Sequence, residues 1–152
     1  MKVRDIMTKE VIAVQADTSV NEVARLMGQH DISGVPVVDD EQHVIGIITE
    51  LDLIVRNTRM EMTPFIQVLD LGRIPLEWPG HARERMRHML GTHAEDVMTR
   101  EVRTIGPDAE VEKLAELMVN QRVNPVPVVE KGRLVGIVSR ADLIDMMAAE
   151  LD

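Results

Sequence analysis

Apolar positions along the chain follow two spacings, and the same succession of spacings occurs twice. Val20, Val23, Ala24 and Met27 fall at i, i+3, i+4 and i+7, one apolar face of a helix, and Val111, Leu114, Ala115 and Met118 repeat that phase. Ahead of the first helix, residues 11–14 (Val-Ile-Ala-Val) predict a strand. Asp17, Thr18 and Ser19 supply N-cap side chains, with Glu22 in the first turn, where a carboxylate suits the helix dipole. Gly28 predicts the stop of this helix. Residues 35–38 and 44–49 predict paired strands, because Asp39, Asp40, Glu41, Gln42 and His43 between them are too polar for anything but a turn. In the second half, Lys131-Gly132 does the same job more tightly. Pro36 and Pro127 lack an N–H, which predicts a strand beginning or a sheet edge for each. Residues 51–56, and 141 onward, read as closing helices.

The two halves are copies of one unit. Asp5-Ile6-Met7-Thr8 matches Asp96-Val97-Met98-Thr99, and Val35-Pro36-Val37-Val38 matches Val126-Pro127-Val128-Val129. The offset is 91 from Asp5/Asp96 to Asp39/Glu130 and 90 at Gly46/Gly136. One residue is therefore lost in the turn between the strands, where loops absorb length changes. Each copy reads β-α-β-β-α, which predicts an α/β chain of the α+β layer type. At about fifty residues each copy is marginal alone, so the two are expected to pack together. The organisation is residues 1–56 for the first copy, 92–152 for the second, and 57–91 for a connecting insert without a twin. The insert holds Pro64, Gly72, Pro75, Trp78, Pro79 and Gly80, with a short hairpin expected around 66–69 and a helix over 82–90. Arg83, Arg85, Arg87, His81 and His88 on or beside that helix read either as a solvated face or as a partner surface. Thr92-x-x-Glu95 is a capping-box pattern just before the second copy begins.

Composition narrows the function classes. Of 152 residues, 45% are hydrophobic and 28% charged, which describes a folded globule rather than a disordered chain. No apolar run approaches membrane-spanning length and no signal-peptide pattern opens the chain, so a cytoplasmic protein without a membrane segment is expected. The absence of cysteine removes disulfides, thiolate nucleophiles and Cys-ligated zinc. A net charge of −9 argues against nucleic-acid binding, which needs a basic footprint. One Trp, one Phe and no Tyr leave little for base stacking, and the eleven methionines read as adaptable core filling. No hydrolase elbow, Walker loop or zinc-protease motif is present, and the five histidines have no metal-ligand spacing. Neither catalysis nor a bound metal is expected.

Two matched positions carry the candidate chemistry. Thr49-x-x-Asp52 and Ser139-x-x-Asp142 each place a hydroxyl and a carboxylate three apart at a strand-to-helix junction. A carboxylate there can accept from both hydroxyls of a ribose cis-diol, beside helix N–H groups that favour phosphate. The same pairs also read as plain helix caps, and duplication would copy a cap as readily as a site.

Taken together, these motifs resemble a tandem pair of CBS domains, a Bateman module, over about two thirds of the chain. The resemblance implies a regulatory module without catalysis of its own, its repeats packed about a pseudo-twofold axis that leaves two clefts for adenosine nucleotides. AMP is the foremost candidate; ADP, ATP, S-adenosylmethionine and NAD are alternatives, and none is an obligatory cofactor. It implies a homodimer, with any output expected to go through a separate effector protein or through self-association. Carried over residue by residue, one cleft would use Thr49 and Asp52 with Val102, Arg103, Val123 and Asn124. The other would use Ser139 and Asp142 with Val11, Ile12, Ile32 and Ser33. Arg140, where the family often places a cation against phosphate, stands opposite Glu50 of the first copy. That contrast predicts tighter binding of phosphorylated ligand in the Ser139/Asp142 cleft. The alternative is a dimerisation or protein-interaction module with non-functional clefts.

Overall fold

The alternating apolar runs close into two hairpins, one per repeat. A computed structural model of the chain describes residues 1–59 and 92–152. β1 (Gly34–Val38) pairs antiparallel with β2 (Val44–Thr49). In the second repeat β3 (Val126–Glu130) pairs antiparallel with β4 (Arg133–Val138). Both hairpins carry a bulge at the matched step, Val37/Val38 and Val128/Val129. Lys131 and Gly132 both have positive φ, 53° and 82°, as a two-residue type I′ turn requires.

The predicted strand over residues 11–14 contracts to a single bridging residue. Val14 N donates to Pro36 O (3.0 Å) and Val38 N to Val14 O (2.9 Å), a parallel bridge. One more rung toward Ile12 needs an N–H on residue 36, which proline lacks. Ile105 N to Pro127 O (3.1 Å) and Val129 N to Ile105 O (2.9 Å) repeat the arrangement, and Pro127 stops that ladder too. Both prolines thus turn their missing donor away from the partner strand of the hairpin, on the outer edge.

α1 (Val20–His30) is capped by Ser19, whose Oγ accepts from Glu22 N at 3.1 Å. The helix continues through Gly28, contrary to the expected stop, and ends at Asp31 in the left-handed region (φ 50°), which a short polar side chain tolerates. α2 (Glu50–Arg59) follows β2 directly and outruns the expected end at residue 56. α3 (Ala94–Val97) starts from His93, whose N–H donates to Asp96 Oδ2 (3.0 Å), so the capping pair lies one residue beyond Thr92/Glu95. α4 (Val111–Gln121) and α5 (Arg140–Leu151) complete the second repeat. The hairpin and arginine-rich helix expected within residues 57–91 lie outside the described residues, apart from the end of α2.

Each core recruits the lead-in of the other repeat. Val3, in a 3-10 turn (Val3–Asp5), is fully buried with Leu114, Met118, Val126, Val128 and Val138 of the second repeat. Ala94, with Val97 and Met98 beside it, packs with Val14, Val23, Val35, Val37 and Ile48 of the first. Reciprocal bridges Thr8–Ile137 and Thr99–Ile47 fasten the exchange, and Arg4–Asp108 and Lys2–Glu110 ion pairs hold its exposed rim. The result is an α+β pair with near-twofold internal symmetry.

The first hairpin turn is held by Asp39, whose Oδ1 accepts from Glu41 N and His43 N, both at 2.9 Å. These bonds, the one from His43 N foremost, hold the Asp39 carboxyl below the usual carboxylate range. Because the folded value is the lower one, the stabilisation is complete above the ordinary carboxylate range and is lost as pH falls through the lowered value. Protection of the Glu41 and His43 amides, taken relative to their intrinsic exchange rates at each pH, should hold above that range in wild type and fall below it. In Asp39→Asn protection should be weak and independent of pH across that range, and a profile unchanged from wild type would refute the assignment.

Candidate functional site

Both hydroxyl–carboxylate pairs form at a strand-to-helix junction. Thr49 N and Oγ1 donate to Asp52 Oδ2 (2.9 and 3.2 Å), and Asp52 N returns to Thr49 Oγ1 (3.4 Å). At the start of α5, Ser139 N and Oγ donate to Asp142 Oδ2 (2.7 and 3.0 Å), with Asp142 N returning at 3.4 Å. Each pair is therefore a helix cap, as one of the two sequence readings holds. What remains for a ligand is the second carboxylate oxygen. Asp52 Oδ1 accepts from Thr99 Oγ1 at 3.2 Å, a hydroxyl brought in by the exchanged lead-in. The matched oxygen of Asp142 accepts no hydrogen bond among the described residues, although Thr8, the twin of Thr99, stands on the same cleft wall.

Two clefts open beside these junctions. The first, of about 850 Å³, brings together Thr49, Val102, Arg103, Val123 and Asn124, but leaves Asp52 off its wall. The second, of about 550 Å³, gathers Val11, Ile12, Ile32, Ser33, Ser139, Arg140 and Asp142. The ladder rungs that the prolines suppress lie here, so residues 11–12 and 102–103 face the clefts instead of continuing a sheet. Ser33, Glu50, Asn124, Pro125 and Arg140 border both clefts. This shared wall is tied by Arg140 N to Asn124 Oδ1 (2.8 Å), Asn124 Nδ2 to Ser33 Oγ (3.4 Å) and Glu50 N to Ser33 O (3.0 Å). Gly34 packs so close to Pro125 that an added Cβ would sit 2.7 Å from its Cδ.

Two consequences differ from the sequence reading. Arg140 and Glu50 face both clefts, so their contrast does not distinguish one cleft from the other. Thr8, Thr99 and Arg122 also line the clefts and went unpredicted. The matched Met-Thr ends of the lead-ins were visible, but not that each crosses to the opposite repeat. Among the described residues no cluster of His, Asp and Glu is arranged to hold a metal ion, and no helix is long and apolar enough to cross a membrane.

The family description of the CBS domain matches residues 3–56 and again 94–149. The chain belongs to the CBS-domain family. An uncharacterised protein of Methanocaldococcus jannaschii is 35% identical over 155 residues, spanning 97% of this chain and 91% of that one. The CBS domain pair of MJ0100, solved with 5′-methylthioadenosine and S-adenosyl-L-methionine, superposes with a TM-score of 0.71 at 26% identity, over 99% of this chain and 98% of that one. CBSX2, solved with AMP, has a TM-score of 0.75 at 21% identity, over 99% and 98% of the two chains, and speaks for the fold alone. The tandem CBS pair thus accounts for the internal repeat, the swapped lead-ins and the two clefts.

Proposed function

We propose that this CBS pair is a regulatory module that binds adenosine compounds in its clefts, has no catalysis of its own, and works as a homodimer that signals to an effector protein. The observation that carries the binding reading is the open oxygen of Asp142, set in a cleft whose other walls are residues 11–12, Ile32 and Ser33. A ribose diol can donate to that oxygen while the base lies along the unladdered segment, whose backbone groups are free to pair with it. The ligand-bound relative at 26% identity supports the same class of compound.

Titration calorimetry of ligand-free protein with AMP, ATP, S-adenosylmethionine and NAD tests this. At least one should bind saturably, and Asp142→Ala should weaken a ligand held in the second cleft by about tenfold, the loss of a charged hydrogen-bond acceptor. Silence with all four, from folded protein, would transfer the case to an interaction module.

The dimer reading stands on an apolar face shared by the closing helices. Leu51 is 70% exposed, Ile144 64% and Met147 59%, with Val119 of α4 beside them at the rim of the first cleft. Helices from both repeats contribute, and an exposed apolar face of this kind suits isologous pairing with a second copy. Sedimentation should give a dimer for wild type and a monomer for Ile144→Lys/Met147→Lys. A wild-type monomer at tens of micromolar would discard this part.

A further inference from the structure

We propose that the two clefts sort adenosine compounds by charge: the first takes a phosphorylated anion, the second an uncharged or cationic nucleoside. This rests on the adenosine-binding reading above and assigns each cleft its ligand class. Arg140 and Glu50 are common to both clefts and cancel from the comparison. Among the described residues, what is left on the first is Arg103 and Arg122 against Glu101; on the second it is Glu10, Asp31 and Asp142 with His30 and no further arginine or lysine. Neither Arg103 nor Arg122 has an acidic partner among the described residues, so both guanidinium groups are available to phosphate oxygens. A polyphosphate in the second cleft would meet three additional carboxylates and, besides the shared Arg140, only the imidazole of His30.

The hydroxyl-binding groups divide the same way. In the first cleft Asp52 does not line the wall and its Oδ1 already accepts from Thr99, so the carboxylate is less available to a ribose than Asp142 and more of the affinity comes from the anion. In the second, Asp142 lies on the wall with one oxygen open, so affinity comes from the diol.

The test titrates the full chain with ATP and with adenosine, on wild type, Arg103→Gln/Arg122→Gln and Asp142→Asn, with melting curves to establish that each variant is folded. The arginine double variant should weaken ATP by about tenfold or more and leave adenosine unchanged. Asp142→Asn should do the reverse. In wild type, raising salt should weaken ATP and not adenosine, a readout that needs no variant. The proposal is overturned if ATP and adenosine compete for one site, or if ATP affinity follows Asp142→Asn and ignores the arginine pair. Wild-type protein that binds neither probe overturns the adenosine reading itself, and this assignment with it.

Discussion

Val3→Asp should unfold the second repeat first, although Val3 belongs by sequence to the first. Its side chain is fully buried among Leu114, Met118, Val126, Val128 and Val138, and its N–H donates to Ala109 O at 2.9 Å. A carboxylate placed there has no cation within the cluster, and an uncompensated buried charge costs about 3–5 kcal/mol. That is a large part of the total stability of a domain this size. Native-state hydrogen exchange distinguishes the two units: protection should fall over β3 and β4 before β1 and β2. Ala94→Asp is the mirror experiment, since Ala94 is fully buried in the first core, and there β1 and β2 should open first. If each variant instead loosened the repeat from which its residue comes, the exchange of lead-ins would be refuted.

The exchange was the one feature of the architecture that the repeat could not disclose. With Asp5-Ile6-Met7-Thr8 and Asp96-Val97-Met98-Thr99 nearly identical, either lead-in suits either sheet by local pattern, and only the connecting geometry decides. The hairpins were legible because a polar turn between two apolar runs has few alternatives, and the helices because their apolar positions hold a 3.6 period. The lost strand over residues 11–14 was in principle legible too. Pro36 and Pro127 were read as edge residues, but the further step, that a missing N–H on that edge forbids a ladder there, fixes the length of the neighbouring segment. Gly28 misled because a glycine marks a helix end only when the backbone turns left-handed. Here that turn falls at Asp31, three residues on. At the clefts, the two hydroxyl–carboxylate pairs were found from spacing. Their inequivalence was expected from Arg140 and Glu50, but on a wall common to both clefts that contrast dissolves, and the difference that the structure does carry, Thr99 on Asp52, depends on the exchanged lead-in.

Alanine at Gly136 and at Gly28 should move stability in opposite directions. A Cβ at Gly136 would lie 2.5 Å from Met7 Sδ, 2.9 Å from Met7 Cγ and 3.1 Å from Thr8 O. The sulfur could swing aside, but the Thr8 carbonyl accepts from Ile137 N at 3.0 Å, so relief there pulls apart the bridge that holds the exchanged lead-in. Overpacking of this kind costs about 1–3 kcal/mol. Gly46 meets Met98 in the same way, which gives both repeats the same requirement for a bare backbone. Gly28, by contrast, lies inside α1 with nothing within 4 Å of an added Cβ. There alanine removes only backbone freedom from the unfolded chain, which stabilises a helix interior by about 0.5–1 kcal/mol. At about 2–4 °C per kcal/mol for a chain of this size, thermal melting should separate Gly28→Ala above wild type from Gly136→Ala below it. A Gly136→Ala protein melting with or above wild type would mean that Met7 and Thr8 do not pack on β4, and the second cleft would lose the wall that Thr8 provides.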